Sequence, residues 1–528
     1  VKNINLFWKY LDEHILFVYI FSFLLASLVF LTNLGMLPLF ADEPTRALVA
    51  IEMMFSDNYW VPTLQGEFYY NKPPFYNWII AGLFTLTGSM SEFIFRLPSV
   101  IPLLLFGLTI FVWAKKHVSN AAAFLGASMF VTCGRILIYA SLLGHIDIFY
   151  SWLVFLSFIV FIESLNAKNW WRFFVLTYFI ASISFLCKGL PTVVFQGLTI
   201  IILLLYSKNF KKFFSLAHVT GILLFSIIVG GYFYMYAQHN SLEGWVSILW
   251  EQSAQRTVID KPWYESLIHI IKFPLEHLYH LAPWSLFVIF LWKKSVRTSI
   301  WKNDSLRMLA LILIVNIPVY WLSPGYYPRY LFMLYPIVFI LLAQAYMLST
   351  ELKSKKIIHG IFIGIGGLLA LSGLVLPFVS LGVDFNLFKG SVLCMLSLLG
   401  VGALVYLKAH KYVGLVLVLI TVRLAFSWIG IPAKLNGNRD LEYKTEAQAI
   451  GKKTKGERLK AIRSSSLNHS TIFYIERERK EILTHTSGVW PGEFHIASEL
   501  LVKKHNFQKL DSLSIKFEGR ELYLVKAE

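Results

Sequence analysis

The feature that most constrains this chain is a succession of apolar runs, each about twenty residues long, separated by short polar connections. They fall near 15–34, 94–114, 121–141, 146–163, 172–187, 190–206, 214–236, 278–292, 306–322, 329–349, 357–380, 390–407 and 411–431, about thirteen in all. In hydrocarbon every backbone N–H and C=O must find its partner within the protein, so continuous runs of this length predict membrane-spanning α-helices. Composition agrees: 56% of the 528 residues are hydrophobic and only 15% are charged, which no ordinary soluble globular chain approaches.

The formal net charge of +17 would suggest nucleic acid in a soluble protein. Here the cations have another explanation. Lys115/Lys116, Lys168/Arg172, Lys208/Lys211/Lys212, Lys293/Lys294/Arg297/Lys302, Lys353/Lys355/Lys356 and Lys408/Lys411 all fall in alternate connections, as the positive-inside rule requires of cytoplasmic loops. No nucleic-acid partner is expected. The opposite, outer side receives two long connections, 35–93 and 237–277, with shorter ones around Gly144–Asp147, Lys188, Ser323–Arg329 and Gly382–Lys389. Cys133, Cys187 and Cys394 lie in or at the end of apolar runs without metal-ligand spacing, so no structural disulfide is expected. The first run is too long for a signal-peptide core and lacks an A-x-A site, which predicts that it is retained.

An odd number of spans places the tail after Pro432 on the outer side. Its composition turns polar there, dividing the chain into a membrane domain, 1–432, and a soluble α/β domain, 433–528. Within the tail, "EYKTEAQAIGKK" and "EFHIASELLVKKH" read as helices, and "TIFYIERE" and "RELYLVKAE" as strands. The tail has no phosphate-binding glycine motif and reads as a structural or docking element.

Ionisable groups near a membrane are costly unless partnered or wet, so a set of them on one side marks a candidate site. Asp42 and Glu43 open the first outer loop, ahead of "RALVAIEMM", whose spacing predicts an amphipathic helix in the interface. Acids at a helix start also have an ordinary explanation in the helix dipole. Lys72, after "EFYYN" and before two prolines, is expected on extended backbone beside Tyr69, Tyr70 and Tyr76. Asp147 stands where a loop turns into a span, and Lys188 interrupts two apolar runs in "FLCKGLP". The second long loop offers Glu251 and Arg256; "SPGYYPRY" offers Tyr326, Tyr327 and Arg329. Four outer cations, Lys72, Lys188, Arg256 and Arg329, suit a phosphate leaving group. His269, His277 and His280 have no carboxylate in register and read as interfacial packing rather than metal ligands.

These residues resemble a known pattern. Asp42-Glu43 after the first span, "EMMFSDNYWVPTLQGEFYYNKPP", "RLPS" at Arg96–Ser99, Asp147, Lys188-Gly189, Gln255-Arg256 and Pro328-Arg329-Tyr330 are similar in order and spacing to the polyprenyl-phosphate-dependent glycosyltransferases of the GT-C superfamily. The likeness is specifically to the group containing the 4-amino-4-deoxy-L-arabinose lipid A transferase and its relatives among the protein mannosyltransferases. The resemblance covers roughly the first 350 residues. It implies a polytopic α-helical GT-C fold of about thirteen spans, with outer interfacial helices and the small C-terminal α/β domain. It also implies a sugar donor on a polyprenyl (undecaprenyl) phosphate, and an acceptor that is lipid A, another envelope glycan or a protein. Transfer with inversion would take place at the periplasmic face of a bacterial inner membrane. Lys72, Lys188, Arg256 and Arg329 would hold the donor phosphate, and Asp42 would orient or deprotonate the acceptor with Glu43 as its nearest substitute. Asp147 would help to position acceptor, sugar or metal, while Tyr69, Tyr70, Tyr76, Glu251, Tyr326 and Tyr327 would line the pocket.

Two departures bear on cofactors. Asn71 stands where the aminoarabinose pattern has glutamate before the lysine, and "QSAQ" between Glu251 and Arg256 lacks that pattern's histidine. Metal dependence therefore stays open, a divalent ion being the one cofactor in question. The readings from other classes are a transporter or flippase for a lipid-linked saccharide, and an inactive lipid-binding homologue. A transporter would show midplane sites and inverted repeats, whereas the polar groups here gather at one interface and no repeat is evident.

Overall fold

The computed structural model describes residues 2–245, 247, 263–380, 382–463, 465, 467–505, 507–517 and 520–526. Glu251 and Arg256 lie outside the described residues. The chain divides into two compact bodies, one of residues 1–34, 99–229 and 250–433, the other of 35–98, 230–249 and 434–528.

Ten helices lead the chain: α1 (Lys2–Glu13), α2 (Ile15–Leu31), α3 (Glu43–Ser56), α4 (Phe75–Thr87), α5 (Glu92–Ala114), α6 (Asn120–Thr132), α7 (Ile146–Asn166), α8 (Thr177–Lys188), α9 (Pro191–Tyr206) and α10 (Leu216–Ala237). Among the described residues, seven helices are long and apolar enough to cross a membrane. Two more candidates are bent pairs, Leu6–Glu13 with Ile15–Leu31 and Asn120–Thr132 with Arg135–Leu142. Phe75–Thr87, Pro191–Tyr206 and Tyr335–Leu348 are shorter apolar helices. Each predicted window meets a helical segment. That near 278–292 is a nine-residue 3-10 run, Trp284–Trp292.

Within the first body, small residues let helices approach closely, the usual device where lipid provides no hydrophobic drive between them. A Cβ built on Gly373 of helix Leu352–Val375 would stand 2.6 Å from the Gly390 carbonyl of helix Leu387–Tyr406, so any larger side chain would separate the two. One turn each of π-helix, Arg135–Tyr139 and Arg172–Leu176, is inserted beside α6 and α8.

The second body is built around α3. Pro44 in its first turn is preset for helix, and Asp42 and Glu43 stand at the end where the dipole favours acids. The helix predicted from "RALVAIEMM" is present, but Arg46 to Met53 are all buried, packed against α4 and the C-terminal helix His469–Arg479. After it, β1 (Thr63–Leu64) and β2 (Glu67–Phe68) form a hairpin whose turn residues Gln65 and Gly66 both have positive φ, +57° and +73°. Glu52 fastens that turn, accepting from Gln65 N (2.6 Å), Gly66 N (3.0 Å) and the Thr63 hydroxyl (2.7 Å).

The tail contributes β3 (Leu459–Ile462), β4 (His485–Thr486), β5 (Phe494–Ser498), β6 (Gln508–Phe517) and β7 (Arg520–Lys526), in sheet order β4-β3-β5-β7-β6. "RELYLVK" is a strand and "EYKTEAQAIGKK" a helix, as read. "TIFYIERE" is not a strand. It lies in the helix His469–Arg479, capped by Asn468, whose side chain accepts from Thr471 N at 2.7 Å. Ile472, Phe473, Tyr474 and Ile475 are all buried, so neighbouring elements cover several faces and the β-branched and aromatic bias reflects burial, not pleating. "EFHIASELLVKKH" splits into β5 and a short helix, Glu499–His505, because Phe494–Ser498 pairs on both edges with β3 and β7.

Candidate functional site

In the first body, Asp147 occupies the first turn of α7, and Lys188 is the last residue of α8. Each charge sits at the helix end whose dipole favours it. Gly189 (φ +76°, ψ −137°) then turns the chain into α9, a conformation that only glycine adopts without strain. Arg329 lies on the short 3-10 turn Pro328–Leu331. Lys188 Nζ is 2.5 Å from Asp147 Oδ1, and Arg329 Nε is 3.3 Å from Asp147 Oδ2. One carboxylate thus gathers two cations, one on each oxygen. The Lys188 and Asp147 side chains are only 3% and 5% exposed, and Arg329 14%. Rings complete the surroundings. Lys188 Nζ lies 4.0 Å from the Tyr330 ring centroid and 5.0 Å from that of Tyr150, and the Arg329 guanidinium lies 4.6 Å from Tyr327.

Asp147, Lys188, Arg329 and Tyr327, far apart in the sequence, come together in the structure. Tyr326 points elsewhere, donating to Glu276 Oε2 at 2.7 Å and packing on His269 and Phe273. Burial and that carboxylate push its hydroxyl well above the ordinary tyrosine range. His269 and His277 bond to backbone carbonyls of Tyr320 and Phe273. Among the described residues, no three His, Cys, Asp or Glu side chains are grouped as a metal ion needs.

In the second body, the two first-loop acids differ. Asp42 is exposed at the α3 N-terminus. Glu43 is fully buried and receives Arg96 in a bidentate pair, Nε and Nη2 each at 2.8 Å, with Phe40 N at 3.2 Å. Arg96 also donates to the Leu37 and Pro38 carbonyls, both at 3.0 Å. This pair makes Glu43 part of the frame that holds the loop, not a stand-in for Asp42. Two of the predicted pocket tyrosines are likewise framework. Tyr69 is buried against Val49 and Met53 and accepts from Arg46 at 3.0 Å, and Tyr76 is fully buried. Tyr70 is half-buried and accepts from Asn240 at 3.1 Å. Lys72 is half-buried, and it stands on a bend before Pro73 and Pro74, not on the extended backbone expected from the sequence.

Sequence reading missed Glu52 and Glu92. The Gln-Gly pair was the available signal for the hairpin that Glu52 holds. Nothing local pointed to Glu92, whose partners are Lys444 at 2.7 Å and the Tyr474 hydroxyl at 2.9 Å, more than 350 residues away.

A family model described as dolichyl-phosphate-mannose-protein mannosyltransferase matches residues 71–231. No curated protein matches the chain in sequence. Over nearly the whole length, the fold is similar to that of ArnT from Cupriavidus metallidurans bound to undecaprenyl phosphate. The TM-score is 0.68 at 14% identity, with 96% of this chain and 97% of that one covered. The apo state of the same protein gives 0.66 over the same spans. The Archaeoglobus fulgidus oligosaccharyltransferase is more distant, at TM-score 0.46 and 11% identity over 88% of this chain and 64% of that one. The resemblance is borne out at the level of the fold: the chain is a polytopic α-helical membrane protein with the GT-C type of fold that ArnT has.

Proposed function

We propose that this protein is an integral membrane glycosyltransferase that moves a sugar from a polyprenyl phosphate carrier to lipid A, another envelope glycan or a protein, with inversion, at the periplasmic face of a bacterial inner membrane. The observation that carries the reading is the buried convergence of Lys188 and Arg329 on Asp147. Two cations held in place before substrate arrives, in surroundings of low dielectric, suit an anion that forms during reaction. The undecaprenyl phosphate bound by the structurally similar ArnT supports a carrier of that class.

In the reaction, the bond between the anomeric carbon and the phosphate oxygen breaks, and its electron pair leaves on the phosphate. The acceptor oxygen bonds to the same carbon from the opposite side, which inverts it. Lys188 and Arg329 stabilise the departing phosphate, so no general acid is needed. Lys72 and Arg256 carry the same expected role. Asp147 keeps the two cations oriented and is a positioning residue. Asp42 orients a phosphate acceptor, or takes the proton when the acceptor is a hydroxyl. The soluble tail, 433–528, serves to dock and brace the first loop.

The test is purified protein challenged with a panel of polyprenyl-phospho-sugars and extracted envelope acceptors, following carrier-phosphate release and sugar transfer. Transfer from one donor, lost in Asp42→Asn and Lys188→Ala, supports the reading. Intact protein that binds carrier but transfers no sugar from the native-cell panel overturns it in favour of a flippase or an inactive homologue.

A further inference from the structure

On the basic end of the first body, α5 and the part of α7 beyond its first turn leave a groove of about 340 Å³ between them. Its walls are Leu105, Leu108 and Val112 of α5 and Ile159 and Val160 of α7. Its mouth carries two exposed cations, Lys116 and Arg172. Lys115 and Lys168 are exposed on the same connections. Two indoles brace the groove: Trp152 Nε1 donates to Thr109 at 3.0 Å, and Trp113 Nε1 donates to Glu163 at 2.8 Å. Glu163, the one acid in the lining, is already engaged by Trp113 and by His117 Nε2 at 2.7 Å.

An apolar trough between two helices, lined also by two cations and two tryptophans, has the amphipathic order of a phospholipid. We infer that this groove binds one anionic glycerophospholipid of the leaflet at the basic end, its phosphate between Lys116 and Arg172 and an acyl chain along Leu105, Val112 and Val160. Charge complementarity selects the anionic class, because a zwitterionic headgroup brings its own cation to a rim already positive. The inference is independent of the transfer reaction.

The test is native mass spectrometry of the full-length protein in non-ionic detergent, titrated with phosphatidylglycerol or phosphatidylcholine. Wild type is expected to retain one phosphatidylglycerol more tightly than any phosphatidylcholine. Lys116→Ala with Arg172→Ala should weaken that binding about thirtyfold, as two interfacial cations are lost. Val160→Trp, which fills the trough and keeps both cations, should displace the lipid as well. Lys211→Ala with Lys212→Ala, on another connection at the same end, should change affinity less than twofold. Equal binding of the two lipids, full affinity in either groove variant, an equal loss in the control pair, or a second copy of the chain occupying the groove would each overturn the inference.

Discussion

The buried Glu43–Arg96 pair makes a prediction that separates framework from catalysis. Arg96 is 1% exposed and Glu43 fully buried, and the guanidinium spends four of its donors on Glu43 and the Leu37 and Pro38 carbonyls. Arg96→Ala removes all of these and leaves the carboxylate desolvated, which costs about 3–5 kcal/mol when one member of a buried pair is lost. For a folding body of this size, each kcal/mol moves the melting temperature by about 2–4 °C, so the transition of the second body should fall by roughly 10 °C. Glu43→Leu alone strands the cation and should cost a similar amount. The double variant Glu43→Leu/Arg96→Met removes both charges, and a well-packed apolar replacement of a buried pair is often neutral. Its melting temperature should therefore return to within a few degrees of wild type, giving a large coupling energy in the cycle. The assay is thermal unfolding of the four proteins in one detergent, followed by sugar transfer at a temperature where all are folded. The double variant should retain transfer. If it is as stable as wild type yet inactive, Glu43 takes part in the chemistry and its assignment to the framework is wrong. If the two single losses simply add, the pair is not coupled as the geometry requires.

Lys188→Ala and Arg329→Ala should each lower the turnover number by about 10²–10³, with little change in melting temperature for Arg329→Ala, as measured by carrier-phosphate release. Gly189→Ala forces a side chain into a conformation that costs about 1–3 kcal/mol and shifts Lys188 at the end of α8; transfer should fall while carrier binding persists. Burial, and then the nearby Glu52 carboxylate, hold Glu476 well above its usual range, so the folded state binds a proton that the unfolded chain has released. Stability of the second body should therefore fall as pH rises above the ordinary glutamate value near 4.3. Glu476→Gln keeps an acceptor for Leu483 N (2.9 Å) and should raise the melting temperature more at pH 8 than at pH 5.

What was legible in the sequence followed from periodicity and sidedness. Runs of about twenty apolar residues can only be satisfied as helices, so the span windows met helical segments. Polar residues at loop-to-span transitions stand out in the sequence because such positions are costly. Asp147, Lys188, Arg329 and Tyr327 come together in the first body for that reason. Sequence could not tell which of two adjacent acids faces solvent. Glu43 is claimed by Arg96, 53 positions later, and no local pattern encodes that pairing. The "TIFYIERE" error has the same origin, since a helix buried on several faces loses the one-sided periodicity that distinguishes helix from strand.

The tail and the first loop also set an order of events during synthesis. Tyr474 accepts from Leu39 N at 2.9 Å and donates to Glu92 at 2.9 Å, Arg463 reaches Glu67 at 2.6 Å, and Ser470 donates to the Leu39 carbonyl at 3.2 Å. Each of these joins a segment between Leu39 and Glu92 with one between Arg463 and Tyr474, made much later. Contacts so distant in sequence close late, because the intervening chain must be ordered first. The early loop must therefore wait, with Glu92 and the Leu39 amide lacking these partners, until the helix His469–Arg479 has been made and has folded against it. A stop codon after the last span would leave the membrane helices intact but deprive the nascent loop of its clasp, turning a small distal truncation into a maturation defect at the opposite end of the chain.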